Sequence, residues 1–145
     1  MQSDPLSGLA HTIQLAVAPV FLFSGIGSIL GVLTNRLARI IDRTRVLEAV
    51  PAGDARTEGW RAELRALRAR ARLINRAIGL CTYSALLVAA VVAAIFLGAV
   101  ARIDLTVAVV VAFVAATLAL IVGLVHFLGE VHLATAQMRD APQPD

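Results

Sequence analysis

Lysine is absent from this chain of 145 residues, so all thirteen basic side chains are arginine. A single cysteine, Cys81, excludes an internal disulfide framework. Three long stretches carry no charge at all. Charge inside a span is the usual mark of a proton relay or an ion-coupled transporter, and it is missing here. There is no Ser/His/Asp set, no paired-carboxylate site and no phosphate loop, so nothing in the sequence supports an enzyme. What is abundant is apolar. Hydrophobic residues make up 59% of the chain. With glycine added the share is about two-thirds, against roughly 45–50% in soluble domains. A 15.3 kDa globule has too much surface to hide that excess, which argues against a soluble enzyme.

The uncharged stretches are Ile13–Leu33, Ile78–Ala101 and Leu105–Leu128. As helices they would be roughly 30–36 Å long, matching a hydrocarbon core of about 30 Å. Each must satisfy its own backbone hydrogen bonds in lipid, which means helix, even for the Val-rich third stretch. The fold class expected is all-α: an integral membrane protein with three transmembrane helices. The first stretch has no positive leader and no cleavage signal followed by a polar domain, so it reads as a retained span.

Thr34–Arg76 holds eleven arginines and five acids, a net charge of +6, and the rest of the chain nets −3. The positive-inside bias therefore expects residues 34–77 on the cytoplasmic side of a bacterial inner membrane. The N-terminus and the Arg102–Asp104 turn would lie outside, and the C-terminus inside. The tail, 137–145, reads as disordered.

The basic segment has a pattern of its own. Leu33, Leu37, Ile40, Thr44 and Leu47 recur at alternating four- and three-residue intervals, as do Trp60, Leu64, Leu67, Ala71, Ile74 and Ile78. These are two-per-heptad seams of the coiled-coil type. Pro51, Gly53 and Asp54 supply a turn between them. Five pairs from the two seams, from Leu33 with Ile78 to Leu47 with Leu64, sum to 111, as an antiparallel hairpin requires. The simpler alternative is two amphipathic helices lying flat on the anionic leaflet.

Ile13-Gln-Leu-Ala-Val-Ala-Pro-Val-Phe-Leu22, running into Leu33-Thr-Asn-Arg-Leu-Ala-Arg-Ile-Ile-Asp-Arg43, resembles a bacterial family of small integral membrane proteins defined as a domain of unknown function. Arg72-Leu-Ile-Asn-Arg-Ala-Ile78 is similar as well. The resemblance covers roughly residues 8–135 and implies a multi-span membrane protein, without an activity or cofactor for any residue.

Candidate site residues fall into three groups. Asn35, Arg36, Arg39, Asn75, Arg76 and Glu130 cluster at the inner ends of the spans and read as a polar collar. Glu130 is expected to pair with Arg76 or Arg36, and Asn35–Arg76 and Arg36–Asn75, which also sum to 111, to bond across the base of the hairpin. Gln14, Ser24 and Ser28 share a broad face of the first span with Gly25. That face suits close helix packing, as does Gly27-x-x-x-Gly31, or the lining of a pore in a ring of protomers. Ala85, Ala89 and Ala93, and Ala112, Ala116, Ala119 and Gly123, offer small faces on the other spans. Arg61, Arg65, Arg68 and Arg72, with Arg76, form a basic stripe opposite the Trp60–Ile78 seam. It reads as a solvated face or as a surface for an acidic protein or anionic lipid. No aromatic interleaves with it, so nucleic acid is not expected.

No metal site is expected, because His126, Glu130 and His132 lack a further convergent ligand; no cofactor is expected either. Cys81 reads as packing. The sequence thus points to a non-enzymatic, oligomeric membrane protein whose basic hairpin serves assembly or partner binding. The rival is an oligomeric ion channel, with anions as the candidate permeant and the first span around its pore.

Overall fold

A computed structural model describes residues 5–49 and 57–139. These form three helices: α1 (Pro5–Glu48), α2 (Thr57–Ala101) and α3 (Thr106–Arg139). All three are long and apolar enough to cross a membrane. The helices outrun the apolar stretches because nothing breaks them. The 44 residues of α1 rise about 66 Å, twice the hydrocarbon thickness, and Pro19 does not interrupt the helix. Helix α3 continues to Arg139, three residues into the segment expected to be disordered. No glycine or proline stands between His132 and Arg139 to end it. Residues 140–145 and the turn residues Pro51, Gly53 and Asp54 lie outside the described residues.

The helices contribute to two compact units, Met1–Leu30 with Leu80–Ile121, and Gly31–Gly79 with Val122–Asp145. In the first unit, α1 buries Ala16, Pro19 and Ile26. Helix α2 buries Cys81, Ser84, Val88 and Val91, and α3 buries Ala116. The Ser84 hydroxyl donates to the Ala116 carbonyl at 2.7 Å, and both residues are fully buried. Alanine at 116 leaves room for that approach. Within the chain, the small face of α2 is not the buried one: Ala89 and Ala93 are exposed, and Ala85 only half-buried. The reason is phase. The buried positions 81, 84, 88 and 91 alternate three- and four-residue steps, whereas 85, 89 and 93 advance by four and drift around the helix. Large apolar side chains point outward, Phe21 and Val107 among them, as lipid-facing residues do.

The connection from α2 to α3 is a capped corner. Arg102 has φ 54°, in the left-handed region, and the Ile103 amide donates to the Gly98 carbonyl at 3.2 Å. This is the Schellman arrangement, and Leu105 packs against Gly98 beneath it. Asp104 then opens α3: its Oδ1 accepts from the Thr106 amide at 3.0 Å. Bonding to Thr106 holds the Asp104 carboxyl below the usual carboxylate range.

In the second unit, every residue of the two seams is buried or half-buried, with Leu33, Ile40, Leu47, Leu67 and Ile74 the deepest. Two ion pairs flank them. Arg43 Nη2 stands 2.9 Å from Glu63 Oε1, and Arg68 Nη2 3.1 Å from Glu48 Oε1. These exposed pairs are worth at most about 1 kcal/mol each. A fully buried Leu or Ile contributes roughly 1.5–3 kcal/mol, so the apolar seam dominates.

A candidate arginine cleft around Glu130

Helix α3 places Glu130 seven residues beyond Gly123, itself seven beyond Ala116. All three are buried, so Glu130 occupies a packing position where a small or apolar residue would be ordinary. Its carboxylate is fully buried and accepts three hydrogen bonds. Arg36 Nη1 donates to Oε2 at 2.7 Å. Arg70 donates to Oε1 from Nη2 at 2.8 Å and from Nε at 3.1 Å. Each helix thus supplies one member of the triad. Arg36 is held on a second side by Phe127, whose ring centroid lies 5.4 Å from the guanidinium carbon. Phe127 precedes Glu130 by three residues and shares its face.

One carboxylate against two guanidinium groups leaves one positive charge in excess. Arg39 and Arg43 add to it. Together with Arg36, Arg70, Glu130, Ile40 and Leu67 they line a cavity of about 280 Å³. Arg43 is neutralised by Glu63, while Arg39 makes no ion pair or side-chain hydrogen bond among the described residues. Guanidinium groups only donate, so the cleft presents donors to an oxyanion and offers no group to take up a proton except Glu130, which is already bonded.

The six residues expected to form a collar therefore divide. Arg36 and Glu130 meet, and Arg39 lines the cleft beside them. Asn35, Asn75 and Arg76 are exposed and take no part, and the Asn35–Arg76 and Arg36–Asn75 bonds are not formed. Phase is again the cause: Asn35 and Arg76 each follow a buried seam residue, Leu33 and Ile74, by two positions, or 200° of turn. Of the two partners expected for Glu130, Arg36 is the one that meets it, and the second partner is Arg70, which sequence reasoning did not single out. Arg70 stands four residues before Ile74, on the track that continues through Ala77, Cys81 and Ser84. Following Ala77 as well as Ile78 would have marked it.

Of the basic stripe, Arg61, Arg65, Arg68 and Arg72 are exposed. Arg68 pairs with Glu48, and Arg65 Nε donates to the Arg61 carbonyl at 3.3 Å. Gln14, Ser24 and Ser28 are exposed, and the Ser28 hydroxyl bonds back to the Ser24 carbonyl at 3.3 Å. His126 and His132 each donate Nδ1 to the carbonyl four residues earlier, Val122 at 2.8 Å and Leu128 at 2.9 Å. Among the described residues no cluster of three or more His, Cys, Asp or Glu forms a metal site. A larger cavity of about 590 Å³ in the first unit is lined chiefly by apolar side chains, among them Leu15, Pro19, Val91, Ile95, Val109 and Phe113.

A family model described as a protein of unknown function (DUF2721) matches residues 16–140, and the chain belongs to that family. Searches of curated proteins and of solved structures found no match.

Proposed function

We propose that this member of a family of unknown function is a non-catalytic, oligomeric protein of the bacterial inner membrane. Its N-terminus lies outside and its C-terminus in the cytoplasm, and its arginine-rich segment, 34–77, forms a cytoplasmic antiparallel hairpin for assembly or for capture of an acidic partner. The observation that carries this reading is the division of the segment into two faces. The apolar seams are buried, while Arg61, Arg65, Arg72 and Arg76 stand exposed on α2. The net +6 of the segment favours the cytoplasmic side. The ion pairs favour the pairing that sums to 111, because Arg43–Glu63 and Glu48–Arg68 fall five below and five above that sum, one on each side of it.

Three measurements test the reading. Reporters fused after residue 145 and inserted within residues 51–59 should both score cytoplasmic, and an external score at either overturns the topology. Cysteines at Leu37 and Ile74 in a Cys81→Ala background should crosslink within one chain; crosslinking of 33 with 74 in their place would shift the register by one turn. Arg61→Gln with Arg65→Gln should reduce the oligomer measured in lipid discs while leaving insertion intact. An unchanged mass would make the stripe a solvated face.

The exposure of Gln14, Ser24 and Ser28 on α1 favours a second reading, a channel with this face around a shared pore. Selective anion flux through the purified protein in liposomes, abolished by Ser24→Leu, would establish it.

A further inference from the structure

We infer that the cleft formed by Arg36, Arg39, Arg43 and Arg70 is a binding site for a phosphate group. The inference rests on the geometry of this cleft and stands whether or not the hairpin captures a partner.

Charge is the first ground. Four arginines line one cavity with a single acidic residue, Glu130. Even with Arg43 offset by Glu63, positive charge is left over, and like charges held close together without a counter-ion repel. An anion in the cleft removes that repulsion.

Preorganisation is the second ground. Glu130 fixes Arg36 and Arg70 through three hydrogen bonds, and Phe127 steadies Arg36. Each guanidinium has five N–H donors. Arg36 spends one on Glu130 and Arg70 spends two, while Arg39 spends none among the described residues. The buried carboxylate thus sets the side chains without exhausting them. Planar forks with donors to spare are the groups that recognise phosphate oxygens bidentately.

Size and depth supply the third ground. A water molecule's share of liquid volume is about 30 Å³, so a cavity of about 280 Å³ admits an anion of several heavy atoms. Arg36 stands three residues past Leu33, the end of the first apolar stretch, and Glu130 two past Leu128, the end of the third. At 1.5 Å per residue the floor of the cleft is roughly 3–5 Å beyond the hydrocarbon, and Arg39 about 9 Å beyond it. Lipid headgroups occupy roughly that layer. The phosphate can therefore belong to an anionic lipid or arrive free from the water.

The test uses the full chain in discs of phosphatidylcholine, with thermal unfolding as readout. One arm adds phosphatidylglycerol in graded amounts. The other adds inorganic phosphate at constant ionic strength, with chloride as the reference salt. The wild-type protein should be stabilised in at least one arm. A response to lipid alone assigns the site to a headgroup, a response to phosphate alone assigns it to a soluble anion, and a response to both means that the cleft reads the phosphate group itself. Arg39→Gln should weaken the response by about tenfold, the loss of one charge-assisted contact. Arg39→Lys should fall between, because charge remains and the fork is lost. Arg45→Gln removes the same charge from an exposed position of α1 outside both the cleft and the stripe, and should respond as wild type does. Arg43→Gln provides a second cleft variant should Arg39→Gln not fold. The inference is overturned if neither ligand stabilises the wild-type protein, or if Arg45→Gln weakens the response as much as the cleft variants do.

Discussion

Arg70 and Glu130, sixty residues apart in sequence, meet through two hydrogen bonds to a single carboxylate oxygen, Oε1, while Arg36 takes the other. The carboxylate is fully buried, whereas the two arginine side chains keep 21% and 38% of their exposure. The members of the triad are therefore not equivalent. A guanidinium deprived of its partner can reach water, but the carboxylate cannot.

That asymmetry sets the outcome of a mutant cycle. Arg70→Gln should destabilise the protein more than Arg36→Gln, because it removes two bonds and the more buried partner. Arg36→Gln with Arg70→Gln strands a buried charge and should cost about 3–5 kcal/mol. Adding Glu130→Gln to that double variant should recover most of the loss. Denaturant unfolding in mild detergent measures all four, and a triple variant no more stable than the double would contradict the account.

Ser84 gives a smaller effect inside the apolar unit. Ser84→Ala removes the bond to the Ala116 carbonyl and should cost about 0.6 kcal/mol, at most roughly 1.7. Ala116→Leu should cost more, about 1–3 kcal/mol, since the site is fully buried and has no room. Unfolding midpoints of the two variants decide the order.

The corner between α2 and α3 yields variants of opposite sign. Arg102→Gly should stabilise the protein by about 1 kcal/mol, because glycine adopts the left-handed conformation without the Cβ clash. Gly98→Ala should destabilise it, since the new Cβ would lie 3.2 Å from the Ile103 carbonyl oxygen, a backbone atom that cannot easily yield. A stabilising Gly98→Ala would show that the corner is not close-packed.

Asp104 predicts a pH dependence. Its carboxyl is held below the unfolded value, so the charged form is favoured by folding. The contribution is fully present above an unfolded pKa of about 3.9 and is lost as pH falls through the lower folded value. Asp104→Asn, which still caps the helix, should remove this part of the acid sensitivity. Thermal midpoints of the two proteins between about pH 6 and pH 3 should converge on acidification; parallel curves would rule out Asp104 as the source.

The spans were legible because length and the absence of charge suffice to identify them. The α1 and α2 seams were legible because polar residues alternate with apolar ones and so reveal the phase, as in Leu33-Thr-Asn-Arg-Leu37. Helix α3 offers no such contrast: it is apolar on every side from Val107 to Val125, and no periodicity betrays which face is buried. Its packing through Ala116, Gly123 and Glu130 emerges only when three helices are fitted together. The collar was legible in part. Glu130 was matched with Arg36, while the α1–α2 pairing that sums to 111 pointed to Asn75 and Arg76 where packing with α3 draws in Arg70.

Glu130 also imposes an order on the making of the protein. It leaves the ribosome 94 residues after Arg36 and 60 after Arg70. At roughly 5–20 residues per second, the second arginine waits about 3–12 s for its counter-charge. Until then the nascent chain carries both arginines without the carboxylate they share in the folded protein. The last helix therefore offsets one of the two charges as it packs, and a chain cut short before residue 130 would keep both.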